Sequence, residues 1–302
     1  MTGPVTDAED GIAEDGIGDG VGRTALMVAA ARAIETHRTD TLVRDVHAEH
    51  FVRAARASAD WPVRPEQVPD GDANPLWGRL GRYFGLRTRV FDDFALRSAR
   101  SGARQIVLLG AGLDTRAFRL DWPPDRVVFE LDSAGVLAFK RNVLAGRRAV
   151  PRAALVPIAV DLRTDWSGAL TAAGFDPTLP TVWLAEGLLF YLPAAAERRL
   201  VDTIHRLSVP GSALAYEAKA DATSLAAASD PIYAATLHQI GVNFLALFDG
   251  APRPDSAADL RARGWSTSVR TPFDHAHLNP RALPAEPRDT LATNRWAFAT
   301  LG

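Results

Sequence analysis

Two glycines and a set of carboxylates are the residues of this chain whose types and spacing could hold a ligand. Gly110 and Gly112 fall in the stretch LGAGLDT (109–115), directly after an apolar run. Glycine lets a backbone approach a ligand closely, because no Cβ stands in the way. Asp132 follows Gly112 by 20 residues. At that distance in a nucleotide-binding β–α–β unit an acid can accept both ribose hydroxyls. Two further apolar runs end in acids, at Asp161-Leu162 and at Glu186-Gly187. Together these residues read as a nucleoside site. A tight turn followed by a helix-capping acid is the plainer alternative.

The carboxylates bear on which nucleoside fits. The third position of the dinucleotide fingerprint would be glycine or alanine, and here it is Thr115. A pyrophosphate seeks cations or bare helix N-termini, and Asp114 in the glycine loop would repel one. S-adenosyl-L-methionine carries no phosphate. Its ammonium, sulfonium, ribose diol and adenine amine all suit acidic or neutral acceptors, while its one carboxylate needs a cation. Arg87 is the candidate cation, on a helical stripe with Leu80, Phe84, Phe91 and Phe94. A core-facing arginine is costly unless it meets an anion. That anion is either a ligand carboxylate or a protein acid such as Asp114; the other alternative is that the guanidinium snorkels to water. Arg89 lies about 200° further round the helix and should face water.

The elements that position these residues follow from periodicity. Residues 24–38, 41–57 and 80–100 read as helices, with a breaker-rich loop at 61–75. Short apolar strands at 106–110, 126–132, 154–161, 181–187 and 212–219 alternate with helices at 133–146, 165–174 and 193–207. A mixed helical region spans 220–250, and a helix at 256–264 precedes strands at 265–272 and 293–302. Nearly continuous apolar strands alternating with helices imply an α/β fold with a parallel sheet covered on both faces. In such sheets ligands bind beyond the carboxyl ends of the strands, which is where the glycine turn and the acids fall. The domain reading is an acidic disordered tail at 1–20 and one domain at 21–302. Within that domain, 21–75 form an N-terminal helical cap.

Composition narrows the classes. The 302 residues are 47% hydrophobic and 23% charged, with a net charge of −2. The overall basic footprint of a nucleic-acid binder is absent. No apolar run approaches the ~18 residues of a membrane span, so neither nucleic acid nor membrane is expected as a partner, and the cytoplasm is the expected compartment. The chain has no cysteine, which excludes disulfides, thiolate nucleophiles and Cys-ligated metals. Lys140 and Lys219 are its lysines among 34 basic residues. No Gly-x-Ser-x-Gly elbow and no phosphate-binding Gly-x4-Gly-Lys-[Ser/Thr] loop occurs. Tyr191 reads as a pocket wall, His205 as structural, and Asp274, His275 and His277 as a solvated loop, so no metal is expected.

Four stretches in order resemble the leucine carboxyl methyltransferase-like family, and within it a bacterial, largely actinobacterial, branch of S-adenosyl-L-methionine-dependent methyltransferases. They are LLGAGLDTRAFRL (108–120), FELDSAGVLAFKR (129–141), AVDLRTDW (159–166) and WLAEGLLFYLP (183–193). TALMVAAARAIET (24–36) and YFGLRTRVFDDF (83–94) fit the same pattern. The resemblance implies a Rossmann-like methyltransferase fold: a seven-stranded, mostly parallel sheet with the last strand antiparallel, helices on both faces, and a substrate lid at 220–255 after strand five. It implies roles as well. Arg87 would pair with the methionine carboxylate, with Arg32 a second cation. Gly110 would be the glycine of the first loop, and Asp132 would hold the ribose hydroxyls with Glu130 close by. Asp161 and Leu162 would border adenine, and Glu186 would lie near the methionine amino group. The implied reaction is O-methylation of a carboxylate on a small molecule. Such an acceptor is already ionised near pH 7 and needs no general base, and no residue is assigned as catalytic. The other readings are a nicotinamide-dependent oxidoreductase and a non-catalytic nucleoside-binding protein.

Overall fold

The computed structural model describes residue 17 and residues 20–220, 229–249, 251–278 and 290–302. The acidic stretch 1–20, apart from Ile17 and Gly20, lies outside them, as do 221–228 and 250 of the expected lid. Seven strands form one sheet in the order β3-β2-β1-β4-β5-β7-β6. They are β1 (Gln105–Leu109), β2 (Val127–Asp132), β3 (Ala154–Ala159), β4 (Thr181–Ala185), β5 (Ala213–Lys219), β6 (Trp265–Arg270) and β7 (Asn294–Leu301). Neighbours among β1–β5 pair in parallel, and β7 runs antiparallel between β5 and β6. This is the Rossmann-like sheet the sequence implies.

Side-chain alternation divides the core in two. Ile106, Leu108, Val182 and Leu184 pack on one face with α1 (Gly20–Thr36), α2 (Ala48–Ala54), α3 (Gly81–Arg100) and, beyond the short α4 (Arg116–Arg119), α5 (Ala134–Gly146). Val107, Leu109 and Trp183 pack on the other with α6 (Ser167–Ala172) and α7 (Ala194–Arg206). After β5 come α8 (Pro231–Ile240) and α9 (Phe244–Leu247), and α10 (Ser256–Ala262) precedes β6. β1 and β4 are buried along their whole length, which explains the apolar runs at 106–109 and 182–185. No helix among the described residues is long and apolar enough to cross a membrane.

Three elements depart from the sequence reading. The helix expected over 41–57 is confined to Ala48–Ala54. Upstream of it, Asp45 donates its backbone N–H to Thr36 Oγ1 (2.8 Å) and its carboxylate accepts from Arg32 and Thr115. Those bonds hold the segment against α1 and leave it no helical ladder. The first, third and fourth strands end before their glycine or acid, so Gly110, Asp161 and Glu186 all lie in turns. The breaker-rich loop contains 3-10 turns at Pro65–Gln67 and Gly71–Ala73 and leads into a π-helical turn, Pro75–Leu80. Asn74 Oδ1 caps that turn, accepting from the Leu76 (3.0 Å) and Trp77 (2.9 Å) N–H groups.

This capped turn sets the start of α3 and so the phase of its stripe. Phe84, Arg87, Phe91 and Phe94 are buried, while Arg89 is exposed and pairs with Asp93 one turn on. A Cβ at Gly78 would lie 2.5 Å from the Asp72 carbonyl oxygen, whereas at Gly81 the nearest atom is 3.7 Å away. Gly78→Ala forces backbone apart, so it should destabilise the fold by about 1–3 kcal/mol. Gly81→Ala should be neutral or slightly stabilising through helix propensity. Urea unfolding of the two variants checks this; equal midpoints would show that the Asp72 turn yields.

Candidate functional site

A cavity of about 560 Å³ opens beyond the carboxyl ends of β1, β2, β4 and β5. Arg87, Gly110, Asp132, Asp161, Leu162 and Glu186 all line it, and so does Arg32. The chain after β1 turns sharply through Gly110 (φ +66°) and Gly112 (φ +48°), a backbone region that side-chain-bearing residues rarely adopt. Asp132 ends β2 beneath that turn. Its Oδ2 accepts the Gly112 N–H and its Oδ1 the Ser133 N–H, both at 2.7 Å. Burial raises its pKa, and these two donors pull it back.

Glu130 occupies a different place. It is buried under the rim with Lys140 Nζ at 2.7 Å and does not line the cavity. Burial raises its pKa and Lys140 opposes the rise. Of the two acids on β2, Asp132 faces the cavity and Glu130 does not. Asp161 sits in the exposed turn after β3, where Arg163 grips it through Nε (2.9 Å) and Nη2 (2.8 Å). Leu162 beside it is buried.

Across the cavity lies a buried network of charges. Glu186, just past β4, accepts from Arg87 Nε at 2.9 Å and from Arg116 Nη2 at 2.7 Å. Arg87 Nη1 also donates to Glu217 Oε2 at 2.6 Å. Arg116 Nε reaches Asp92 at 2.7 Å, and Arg119 Nη2 reaches the same acid at 2.8 Å. The anion beside Arg87 is therefore Glu186, with the Glu217 carboxyl as a second acceptor, and Asp114 is not among its partners. Asp114 pairs instead with Arg116, two residues on, whose guanidinium folds back onto it. Burial would raise the Asp114 pKa, but Arg116 holds it down to about 2. Desolvation likewise pushes the Glu186 carboxyl up, yet Arg116 and Arg87 keep it below the usual carboxylate range. Arg32 donates through Nε to Asp45 (2.9 Å) and through Nη2 to the Leu113 carbonyl (2.6 Å).

The sequence reading missed Tyr83, Arg116, Glu217 and Lys219, which also line the cavity. The Tyr83 hydroxyl donates to Glu217 and accepts from Trp296 Nε1 at 3.2 Å. Burial pushes the Glu217 carboxyl up to about 8, with the Lys219 ammonium pulling the other way. A signal for the strand pair was available. Glu217 and Lys219 interrupt an otherwise apolar strand at alternate positions, which places both on one face.

The remaining candidates divide between contacts away from the cavity and the cavity wall. His205 Nδ1 accepts from Trp265 Nε1 at 3.2 Å. Asp274 caps its own turn by accepting from Thr271, and His275 packs on Trp296 with ring centroids 5.4 Å apart. Tyr191 lines the cavity and stacks on Phe248.

Known proteins share this sequence and fold. The chain is 62% identical over 290 residues to a proposed S-adenosyl-L-methionine-dependent methyltransferase of Streptomyces coelicolor, covering 96% of each chain. It is 46% identical to a proposed methyltransferase of the same kind from Saccharopolyspora erythraea, covering 82% of this chain and 83% of that one. A crystal structure of a duf574 family protein from Streptomyces avermitilis shares the fold, with a TM-score of 0.53 at 14% identity over 85% of this chain and 97% of that one. The sequence pattern named leucine carboxyl methyltransferase matches residues 25–205. With that match and the relatives' identity over nearly its whole length, the chain belongs to the leucine carboxyl methyltransferase family.

Proposed function

We propose that this chain transfers the methyl group of S-adenosyl-L-methionine to a carboxylate oxygen of a small molecule. The observation that carries the reading is the rim itself. A carboxylate pinned by the Gly112 and Ser133 N–H groups stands beside a left-handed glycine turn, and Glu186 and Arg87 face it across one cavity. The donor set fits the cofactor. Asp132 would take the ribose diol and Glu186 the methionine ammonium. Arg87 would take the methionine carboxylate, and Leu162 would border adenine beside Asp161. The set does not favour a pyrophosphate: Arg116 and Arg32 are committed to Asp114, Glu186 and Asp45, and Arg87, which gives Nε to Glu186 and Nη1 to Glu217, would offer its Nη2 to a single carboxylate.

When bound, S-adenosyl-L-methionine supplies a methyl group on a sulfonium, open to in-line attack. The chain's own task is to align the acceptor with that group and to keep water out. A carboxylate acceptor needs no proton removed. Tyr191 is not suited to remove one, since burial drives its hydroxyl pKa upward. The aromatic side chains of α8 and α9, part of the proposed lid, would close the acceptor end.

Three measurements test the reading. Calorimetry with S-adenosylhomocysteine should give micromolar binding, about −8 kcal/mol, and NADH none; the reverse pattern would restore the oxidoreductase reading. Asp132→Ala should weaken that binding about ten- to a hundredfold by removing a charge-assisted acceptor for the diol. Glu130→Ala should leave affinity nearly unchanged but lower stability by about 3–5 kcal/mol, because it strands the buried Lys140 charge. If the affinity loss follows Glu130 instead, the two acids have been assigned the wrong way round. Arg87→Ala should weaken S-adenosyl-L-methionine binding while Arg89→Ala does not. Decarboxylated S-adenosyl-L-methionine should bind wild type and Arg87→Ala about equally; a persistent difference would assign Arg87 to holding Glu186 and Glu217 alone.

A further inference from the structure

Beyond Glu186 and Arg87 the cavity continues to a chamber between β5, α8, α9 and the residues before β7. Lys219, the last residue of β5, stands in its wall. Its ammonium donates to Asn294 Oδ1 at 2.9 Å and to the Thr290 carbonyl at 3.4 Å, and it lies 6.0 Å from the centroid of the Phe248 ring. These contacts fix the charge in place instead of leaving it on a waving stem. Apart from Glu217, two residues back on the same face of β5, and the polar Thr290 and Asn294, the chamber is apolar and largely aromatic. Ile232, Tyr233, Phe244, Phe248 and Leu291 line it. Phe244 and Phe248 lie nearly parallel, 6.0 Å apart, and Tyr191 stacks on Phe248 at 5.9 Å. The Tyr233 hydroxyl is turned to Thr290 Oγ1 at 3.0 Å, so its ring serves as wall.

An ammonium fixed in an apolar chamber attracts an anion far more strongly than one in water, and it also selects against a neutral polar group of the same shape. The aromatic walls favour a ligand body that is itself apolar and flat enough to stack. We propose that Lys219 anchors the acceptor's carboxylate while Ile232, Tyr233, Phe244 and Phe248 hold its apolar body, which makes the acceptor class a hydrophobic, ring-bearing monocarboxylate. The proposal rests on the methyl-transfer reading above and assigns that site its substrate class. One carboxylate oxygen stays on Lys219 while a lone pair on the other forms the new O–CH3 bond. The S–CH3 bond breaks in the same step and its electron pair leaves on sulfur, so no proton moves. The product is a neutral ester. It no longer carries the charge that Lys219 holds, and the anchor that selects the acid lets the ester go.

The test compares acids with their amides. Phenylacetate through 6-phenylhexanoate, each with its matched amide and methyl ester, are titrated into the full chain saturated with S-adenosylhomocysteine. At least one acid should bind tenfold or more tightly than its amide, with the ester as weak as the amide. Lys219→Gln should abolish that preference and Lys219→Arg should keep most of it, both with S-adenosylhomocysteine affinity within twofold of wild type. Phe248→Ala should weaken acid and amide alike. The anchor is overturned if no acid in the series outbinds its amide, a comparison that needs no variant. It is also overturned if the preference survives Lys219→Gln, or if both Lys219 variants lose S-adenosylhomocysteine. Failure of the methyl-transfer reading looks different: wild type then binds no S-adenosylhomocysteine, and the substrate assignment falls with it.

Discussion

The carboxylate of Glu186 is shared by two guanidiniums, and the order of the whole site hangs on that sharing. Arg87 comes from α3, Arg116 from the first position of α4, and Glu186 from the turn just past β4. Arg87 extends the hydrogen-bonded network to the Glu217 carboxyl on β5, and the Tyr83 hydroxyl links that group to Trp296 on β7. Arg116 extends it the other way, to Asp114 in the glycine turn and Asp92 on α3. All these side chains are nearly out of water. Each charge is tolerable only because its neighbours are present, and removal of any one leaves an opposite charge buried and uncompensated. Strands β1, β4, β5 and β7 are thus fixed relative to α3 by electrostatics as well as by packing.

Such a network contributes little net stability, since desolvation offsets much of the Coulombic attraction. Its value lies in geometry. Oriented charges in a low-dielectric setting need no rearrangement when a charged ligand arrives, which is the condition for precise alignment in a displacement reaction. Hydrophobic packing supplies the frame in which this is possible. The α3 stripe sets Phe91 and Phe94 against Trp296 and Phe298, and the same helical phase carries Arg87 to the rim.

Much of this was legible in the sequence. Apolar runs ending in a glycine or an acid marked the strand ends, and a 3.6-residue period placed Arg87 inward and Arg89 outward. The partners were harder to read. Arg87 and Glu186 are 99 residues apart, and Arg87 and Glu217 are 130 apart, so only the fold brings them together. The pairing of Asp114 with Arg116 failed for the opposite reason. At two residues' separation the groups would not meet on a helix, and they do so here because the backbone turns before α4 begins. The expected helix over 41–57 failed because Asp45, which looked like an ordinary surface acid, is wholly committed to Arg32, Thr115 and Thr36.

The walls of the cavity come from distant parts of the chain: residues 22–32 of α1 on one side, and Thr290, Leu291 and Asn294 on the other. During synthesis, α1 and β1–β5 therefore exist for many residues before the site can close. Over that interval β5 is an open edge with unpaired backbone groups, and Glu217 lacks the Tyr83–Trp296 bridge that β7 completes. A chain halted before residue 290 would hold nearly every charge of the site with no finished place to bury them. Assembly of the binding site and protection of the sheet edge are one late event, so a ribosome-bound intermediate of this protein should be both inactive and prone to associate through β5.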